Sequence, residues 1–333
     1  MWSRRSMKPE LKRRLKSKEA VLFLIFVVIF VFMSILSPTR FLSLYNLQSM
    51  AYQLPEFGIL ALSMMIVIIT GGINLSVTYT ATLAMIIGGF AMSHMFAGGS
   101  SAGLSVLVGI ILMLAGSLAC GAFNGYVIAY IGVTPMLATL GAMTFFEGIS
   151  LQVTRGGAIS GFPIEFIKIG NTAVLGIPVP MIIFLFVLAT VYLFLERSRM
   201  GATLYMIGSN PKVTRYSGIN VRKNLFITYL IASLLAGIAG ILMASRYNSA
   251  KESYGSSYLL QAVSAAVLGG TSIAGGEGKV IGTVIAVLII QVISSGLNII
   301  GLNRYLTNVV MGLILIVVLT INFLTREKQF RNN

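Results

Sequence analysis

Aspartate is missing from this chain of 333 residues, and its nine acids are all glutamates. There is one cysteine, Cys120, and one histidine, His94. These shortages exclude whole classes of chemistry. A lone thiol closes no intrachain disulfide and builds no metal site. Most hydrolytic and metal-dependent centres gather several His, Cys or acidic groups, so no metal and no cofactor is expected. An intramembrane enzyme fails for want of a nucleophile and a base, with His94 placed near the outer end of an expected span. Charge is scarce as well: 10% of the residues are charged, against about 25% in soluble domains.

Apolar residues fill the gap, at 56% of the chain. Several runs exceed the roughly 18 residues that mark a transmembrane helix. The expected fold class is therefore an all-α membrane protein, a polytopic bundle. The net charge of +15 does not point to nucleic acid, because no aromatic–basic interleaving offers a stacking surface for bases. Eight Lys and Arg residues fall between Arg4 and Lys18, directly before the first apolar run. Such a cluster is drawn to anionic membrane lipid, at about 1 kcal/mol per basic residue, and holds the N-terminus in the cytoplasm. No small-residue cleavage site follows Leu36, so this run reads as an uncleaved first span.

About ten spans are expected: Ala20–Leu36, Glu56–Thr70, Val77–Ala97, Gly103–Tyr130, Thr134–Val153, Pro180–Glu196, Leu225–Arg246, Tyr258–Leu268, Gly278–Ile300 and Tyr305–Leu324. An even count puts both termini in the cytoplasm. The chain then divides into a basic N-terminus (1–19), a transmembrane domain (20–324) and a cytoplasmic tail (325–333). The tail carries Arg326, Lys328 and Arg331, and the segment 197–224 carries six basic residues and no acid. Three basic clusters thus fall on one side. The segment 152–179 falls outside, where it is either a plain connection or a docking surface for an external partner.

Two glycine-rich stretches interrupt the apolar runs. "ITGGINLSV" (Ile69–Val77) breaks a helix within or near the membrane, either as a surface turn or where a transporter passes its solute. "VLGGTSIAGGEGKVIGT" (Val267–Thr283) is no nucleotide loop, because Val280 stands where a Walker A sequence needs Ser or Thr. Close helix approach is its better physical reading. In the ninth span Gln291, Ser294, Ser295 and Asn298 fall at i, i+3, i+4 and i+7, one polar stripe that either packs on a neighbouring helix or lines a path. The expected path residues are Asn74, Ser76, Asn124, Gln291, Ser295 and Asn298. Glu56 and Glu147 are the acids nearest span interiors, both read as lying near ends. That leaves few relays for an ion-coupled secondary transporter, the alternative function. Energy must then come from elsewhere. In "IGSNPKVTRYSGI" (Ile207–Ile219), Asn210-Pro211 opens a turn or short helix that either seats in a partner's groove or lies on lipid.

From about Ser37 to Asn322 the chain resembles the ribose-type permease subunits of bacterial ABC importers. The resemblance rests on "LSPTRFLSLYNL", "GILALSMMIVIITGGINLSV", "GAFNGYVIAYIGVTPMLATLGAMTFFEGISL", "GSNPKVTRYSGINV", "LLAGIAGILMASR" and "VLGGTSIAGGEGKVIGT". It implies a multi-pass inner-membrane subunit, itself no enzyme, that translocates a sugar or related small polar solute. The implied partners are a cytoplasmic ATP-binding subunit, a second permease subunit in a homo- or heterodimer, and an external solute-binding protein. It also implies that Gly208, Asn210, Arg215, Ser217, Gly218 and Ile219 sit at the ATPase-coupling contact. The chain departs from the family pattern at Asn74 (usually Asp), Thr78 (usually Gly), Glu147 (often Arg), and Val213 and Thr214 (usually small). Those departures bear on the identity of the solute.

Overall fold

A lipid-embedded backbone must satisfy its own hydrogen bonds, which confines an apolar chain to helices. The computed structural model describes residues 18–256 and 258–302, with positions 306, 309, 310, 312, 313, 316 and 320. In chain order the helices are α1 (Lys18–Leu36), α2 (Pro38–Phe41), α3 (Leu44–Ile69), α4 (Val77–Ala97), α5 (Ala102–Tyr126, running into a π-helical turn Val127–Ile131) and α6 (Pro135–Thr154). After these come α7 (Ile164–Asn171), α8 (Val179–Arg197), α9 (Arg199–Ser209), α10 (Pro211–Tyr216), α11 (Val221–Tyr247), α12 (Tyr258–Leu268) and α13 (Val280–Ile299). Two antiparallel ribbons accompany them: β1 (Ile159–Ser160) pairs with β4 (Ser249–Ala250), and β2 (Ala173–Val174) with β3 (Ile177–Pro178).

Local chemistry sets the helix starts. Ser43, Ser198 and Asn220 each accept a backbone N–H of the first turn with their side chains, the usual N-cap role. Prolines open α6, α8 and α10, where the missing N–H has no intrahelical partner to lose.

Among the described residues, eight helices are long and apolar enough to cross a membrane: α1, α3, α4, α5 with its π turn, α6, α8, α11 and α13. Helix α12 has 11 residues, short of the roughly 20 that span a bilayer. The expected span 305–324 falls almost wholly outside the described residues.

One expected span is corrected. The second begins at Leu44, not near Glu56, and carries Pro55 in its interior. Proline reads as a helix boundary in a sequence, but in membranes neighbouring helices satisfy the carbonyl it frees. From Leu54 to Ile69 every residue of α3 is buried. It forms the axis of the bundle, with Phe184 and Val187 of α8, Leu235 and Ala239 of α11, Ala262 of α12 and Ala286 of α13 in the same apolar core.

Glu56 therefore lies mid-helix and fully buried, where a span end was expected. Arg246, near the end of α11, meets it with both arms: Nε donates to Oε1 at 2.5 Å and Nη2 to Oε2 at 2.9 Å. Tyr258 of α12 adds a third donor at 3.4 Å, and the guanidinium lies 4.3 Å over the Tyr247 ring. An unpaired carboxylate at this depth would be costly, and the fork geometry of arginine answers it.

The segment 152–179 packs over this same end of α11. Ser245 Oγ donates to Phe166 O at 2.5 Å and accepts from Gly170 N at 2.6 Å. Asn171 Nδ2 donates to Ser245 O at 3.0 Å. The β1–β4 pairing ties the loop down again just beyond α11.

Breaking one partner of a buried ion pair costs about 3–5 kcal/mol, whereas apolar replacement of both is often neutral. Arg246→Met is thus expected to lower the thermal midpoint of the purified chain in detergent sharply. The double variant Glu56→Leu/Arg246→Met should recover most of that loss. A double variant as unstable as the single one would contradict this account of the pair.

Candidate functional site

The polar interruption after α8 is helical. Ser198 starts α9, and Asn210 both ends α9 and caps α10, its Oδ1 accepting Lys212 N at 3.0 Å and Val213 N at 3.1 Å. The inward side of α10 is Thr214, which is buried and donates to Asn210 O. Its outward side is Lys212, Val213, Arg215 and Tyr216, all exposed, with Tyr216 at 90%. Ser217 closes the helix and Gly218 turns the chain at φ +81° toward Ile219. A six-residue helix is thereby held by its caps and presents two basic and two apolar side chains outward. Val213 and Tyr216 are not among the coupling residues that the resemblance implies; Val213 enters there only as a departure from the family pattern. Their signal is position on the short helix, visible once Asn210 is placed as its cap.

Gly208 has a different setting from the rest of this group. It is half-buried, facing the end of α3. A Cβ built on it would lie 1.9 Å from Ile69 O and 2.4 Å from Gly276 N. The second glycine-rich stretch, which joins α12 to α13, comes to the same point. Gly276 N donates to Ile69 O at 2.9 Å, and Tyr205 of α9 donates its hydroxyl to Gly278 O at 2.9 Å. Lys279 pairs with Glu19 at the start of α1. One end of the bundle thus gathers the start of α1, the end of α3, α9 and the 269–279 loop.

The first glycine-rich stretch begins at that junction. Thr70 and Gly71 close α3, Gly71 with φ +82°, and α4 does not start until Val77. Between them the backbone is held by side chains. Thr139 of α6 accepts Leu75 N at 3.1 Å and lies within hydrogen-bond distance of Ile73 O at 3.0 Å and Pro135 O at 2.8 Å. Asn74 Oδ1 accepts Ser76 N at 3.1 Å and the Ser76 hydroxyl at 2.8 Å. Asn124 Nδ2 of α5 donates to Ser76 Oγ at 2.8 Å. Asn74, Ser76 and Asn124 are therefore one connected group, each no more than 2% exposed. Asn124 Oδ1 and the Tyr229 hydroxyl are buried beside it without a protein partner.

The polar stripe on α13 belongs to another place. Ser295 donates to Asn46 Oδ1 of α3 at 2.8 Å, Gln291 is buried, and Asn298 is exposed. At the break, Thr139 and Tyr229 are buried polar residues without a sequence signal, since a single hydroxyl on an apolar helix carries no pattern. No group of three His, Cys, Asp or Glu able to hold a metal exists among the described residues.

Taken together, the described residues form a polytopic helical membrane protein with an exposed, capped polar helix between two spans. Comparison with known proteins assigns the family. Residues 46–319 match the family described as branched-chain amino acid transport system / permease component, and the chain belongs to it. Among curated relatives, the autoinducer 2 import system permease protein LsrD of Escherichia coli (strain K12) is 36% identical over 278 residues, 82% of each chain. The proteins of that name from Shigella flexneri and Escherichia coli O157:H7 match at the same identity and coverage. No solved structure matches. The chain is thus a multi-pass inner-membrane permease subunit.

Replacing Thr139 by valine strips Leu75 N and Ile73 O of a side-chain partner, and leaving such buried groups unsatisfied costs about 1–3 kcal/mol. Thr139→Val should therefore melt earlier than the parent in detergent, while Thr139→Ser, which keeps the hydroxyl, should melt close to it. Equal melting of the two variants would show that the hydroxyl contributes nothing.

Proposed function

We propose that this chain is the membrane half of an ATP-driven importer for a sugar-like small polar solute, with α10 as the seat of a cytoplasmic ATP-binding subunit. The observation that carries it is the outward face of α10, where Lys212, Val213, Arg215 and Tyr216 stand exposed on a helix fixed by Asn210. A helix resting on lipid would turn its apolar side chains to the membrane and away from its charges. Here charged and apolar side chains share one exposed face, as suits a protein groove.

The contact with that subunit runs through Asn210, Arg215, Ser217, Gly218 and Ile219, with Gly208 behind them. Topology supports a cytoplasmic position. Glu19 follows directly on the basic N-terminal cluster and reaches Lys279, which adjoins the Gly208 junction. Both termini then face the cytoplasm, and segment 152–179, folded over the far end of α11, faces the external solute-binding protein. A second permease subunit completes the path. Of the polar residues expected there, Asn74, Ser76 and Asn124 stand together, uncharged amides and a hydroxyl that suit a polyol, while Gln291, Ser295 and Asn298 lie apart on α13. Asn124 Oδ1, buried with no protein partner, is an acceptor that a solute hydroxyl or water could fill. The relatives named above import autoinducer 2, which fits a sugar-like cargo better than the amino acids in the family's description.

An ion-coupled carrier is the less favoured reading. It needs a titrating acid within the bundle; the carboxylate of Glu56 is held at both oxygens by Arg246, which leaves Glu147, partly buried in the interior of α6 and not near its end as expected, as the acid it would have to use.

Affinity purification of the tagged chain in mild detergent, with mass spectrometry, tests the proposal. A stoichiometric protein bearing a Walker A motif is expected with the parent chain. Arg215→Glu, which reverses a charge at the contact, should remove it, and Gly218→Trp, which forces a bulky residue into positive φ, should abolish uptake without preventing membrane insertion. Asn210→Ala should loosen α10 by about 1 kcal/mol and reduce capture several-fold. Capture undiminished in Arg215→Glu would remove α10 from the contact.

A further inference from the structure

Three stretches far apart in sequence meet at one carbonyl, Ile69 O, the last of α3. On one side Gly276 N donates to it at 2.9 Å. On another, Gly208 of α9 lies so close that a Cβ would sit 1.9 Å from the same oxygen. Gly275 wedges between them: its Cβ would fall 2.8 Å from Gly208 O and 2.8 Å from Gly71 Cα. These are backbone-to-backbone contacts, with no flexible side chain in between to take up a displacement. Packed interiors of this kind transmit strain.

The junction joins the polar helices directly to the break between α3 and α4. Asn210 caps α10 and ends α9, so Gly208 stands two positions before the cap of the outward-facing helix. Gly71 stands two positions beyond Ile69. From Gly71 the chain runs into 72–76, which is fastened by Thr139 to α6 and by Asn124 to α5. Segment 72–76 has no helical ladder of its own and is held by these side chains instead, so it can shift without breaking a helix.

We infer that the Gly208–Ile69–Gly276 junction is a mechanical joint that passes displacement of α9–α10 to the 72–76 break, and with it to the Asn74–Ser76–Asn124 group. Gly208 is a positioning residue of this joint, and its glycine serves to keep two backbones in contact. Tyr205 braces the joint from α9 through its bond to Gly278 O. The inference rests on the importer reading for the source of the displacement, and it adds where inside the bundle that displacement arrives.

Leu75, half-exposed within the break, gives a reporter that needs no knowledge of the solute. In a Cys120→Ala background the chain has no other thiol, so Leu75→Cys is labelled alone. The complex captured with its ATP-binding subunit is treated with N-ethylmaleimide, with and without ATP plus orthovanadate to trap the motor closed. Trapping is expected to change the labelling rate at least threefold. Gly208→Ala should abolish the change while trapped nucleotide remains bound. Tyr205→Phe, which adds no volume and deletes one hydrogen bond, should at least halve it, and decides the matter if Gly208→Ala does not assemble. Labelling rates that are the same with and without trapped nucleotide, or a response equally large in the variants, overturn the joint and leave the importer reading intact. Failure of the parent chain to capture any ATP-binding subunit overturns the importer reading, and the joint with it.

Discussion

The carbonyl of Ile69 sets the constraint from which much of this molecule follows. It closes the most buried helix of the bundle, so it has lost its intrahelical donor and has no ready access to water. A backbone N–H supplies the missing donor, from Gly276 in a loop over 200 residues away in the chain. Bringing one backbone to another requires that no Cβ intervene. The glycines in the 269–279 loop and Gly208 in α9 meet that requirement from two directions. Once they do, α3, α9 and the loop before α13 share a common end, and Tyr205 and Lys279 add side-chain ties to it.

At its other end the bundle is held by charge. Glu56, Arg246 and Tyr258 join α3, α11 and α12 deep in the core, and the loop carrying α7 closes over the same end of α11 through Ser245. The two ends differ in kind. The Arg246 end is cross-linked by side chains with fixed hydrogen-bond geometry, whereas the Ile69 end adds to its side-chain ties a close contact of backbones beside an unladdered segment. A structure clamped at one end and jointed at the other is suited to opening from the jointed end, where α10 stands exposed.

Much of this was legible in the sequence, and the parts that were not have physical reasons. Apolar runs located most helices to within a few residues, and Asn210-Pro211 marked α10 because cap and proline act locally. The second span was expected from Glu56 and starts at Leu44 with Pro55 inside it, where neighbours that a single helix does not reveal offset the proline's cost. The consequence was larger than a boundary. Starting the span at Glu56 made that carboxylate a terminal residue, when it is the buried half of an ion pair whose partner lies 190 residues further on. Pairing of that range leaves no local pattern. Thr139 was missed for the same reason: its hydroxyl matters only because residues 73 and 75 arrive beside it.

The two glycine-rich stretches show where sequence and structure complement each other. Each alone reads as a break or a place for close helix approach, and neither says what approaches. Only the fold shows that they approach one another, with Gly208 between. The resemblance implies a motor contact for Gly208, yet its own neighbours are Ile69 and Gly276. On the proposed coupling role, Gly208 belongs to the motor-facing segment by sequence and to the end of α3 by packing. That double membership is what a coupling element requires, because force applied to a surface helix is useful only if some residue of that helix is already in contact with the part that must move.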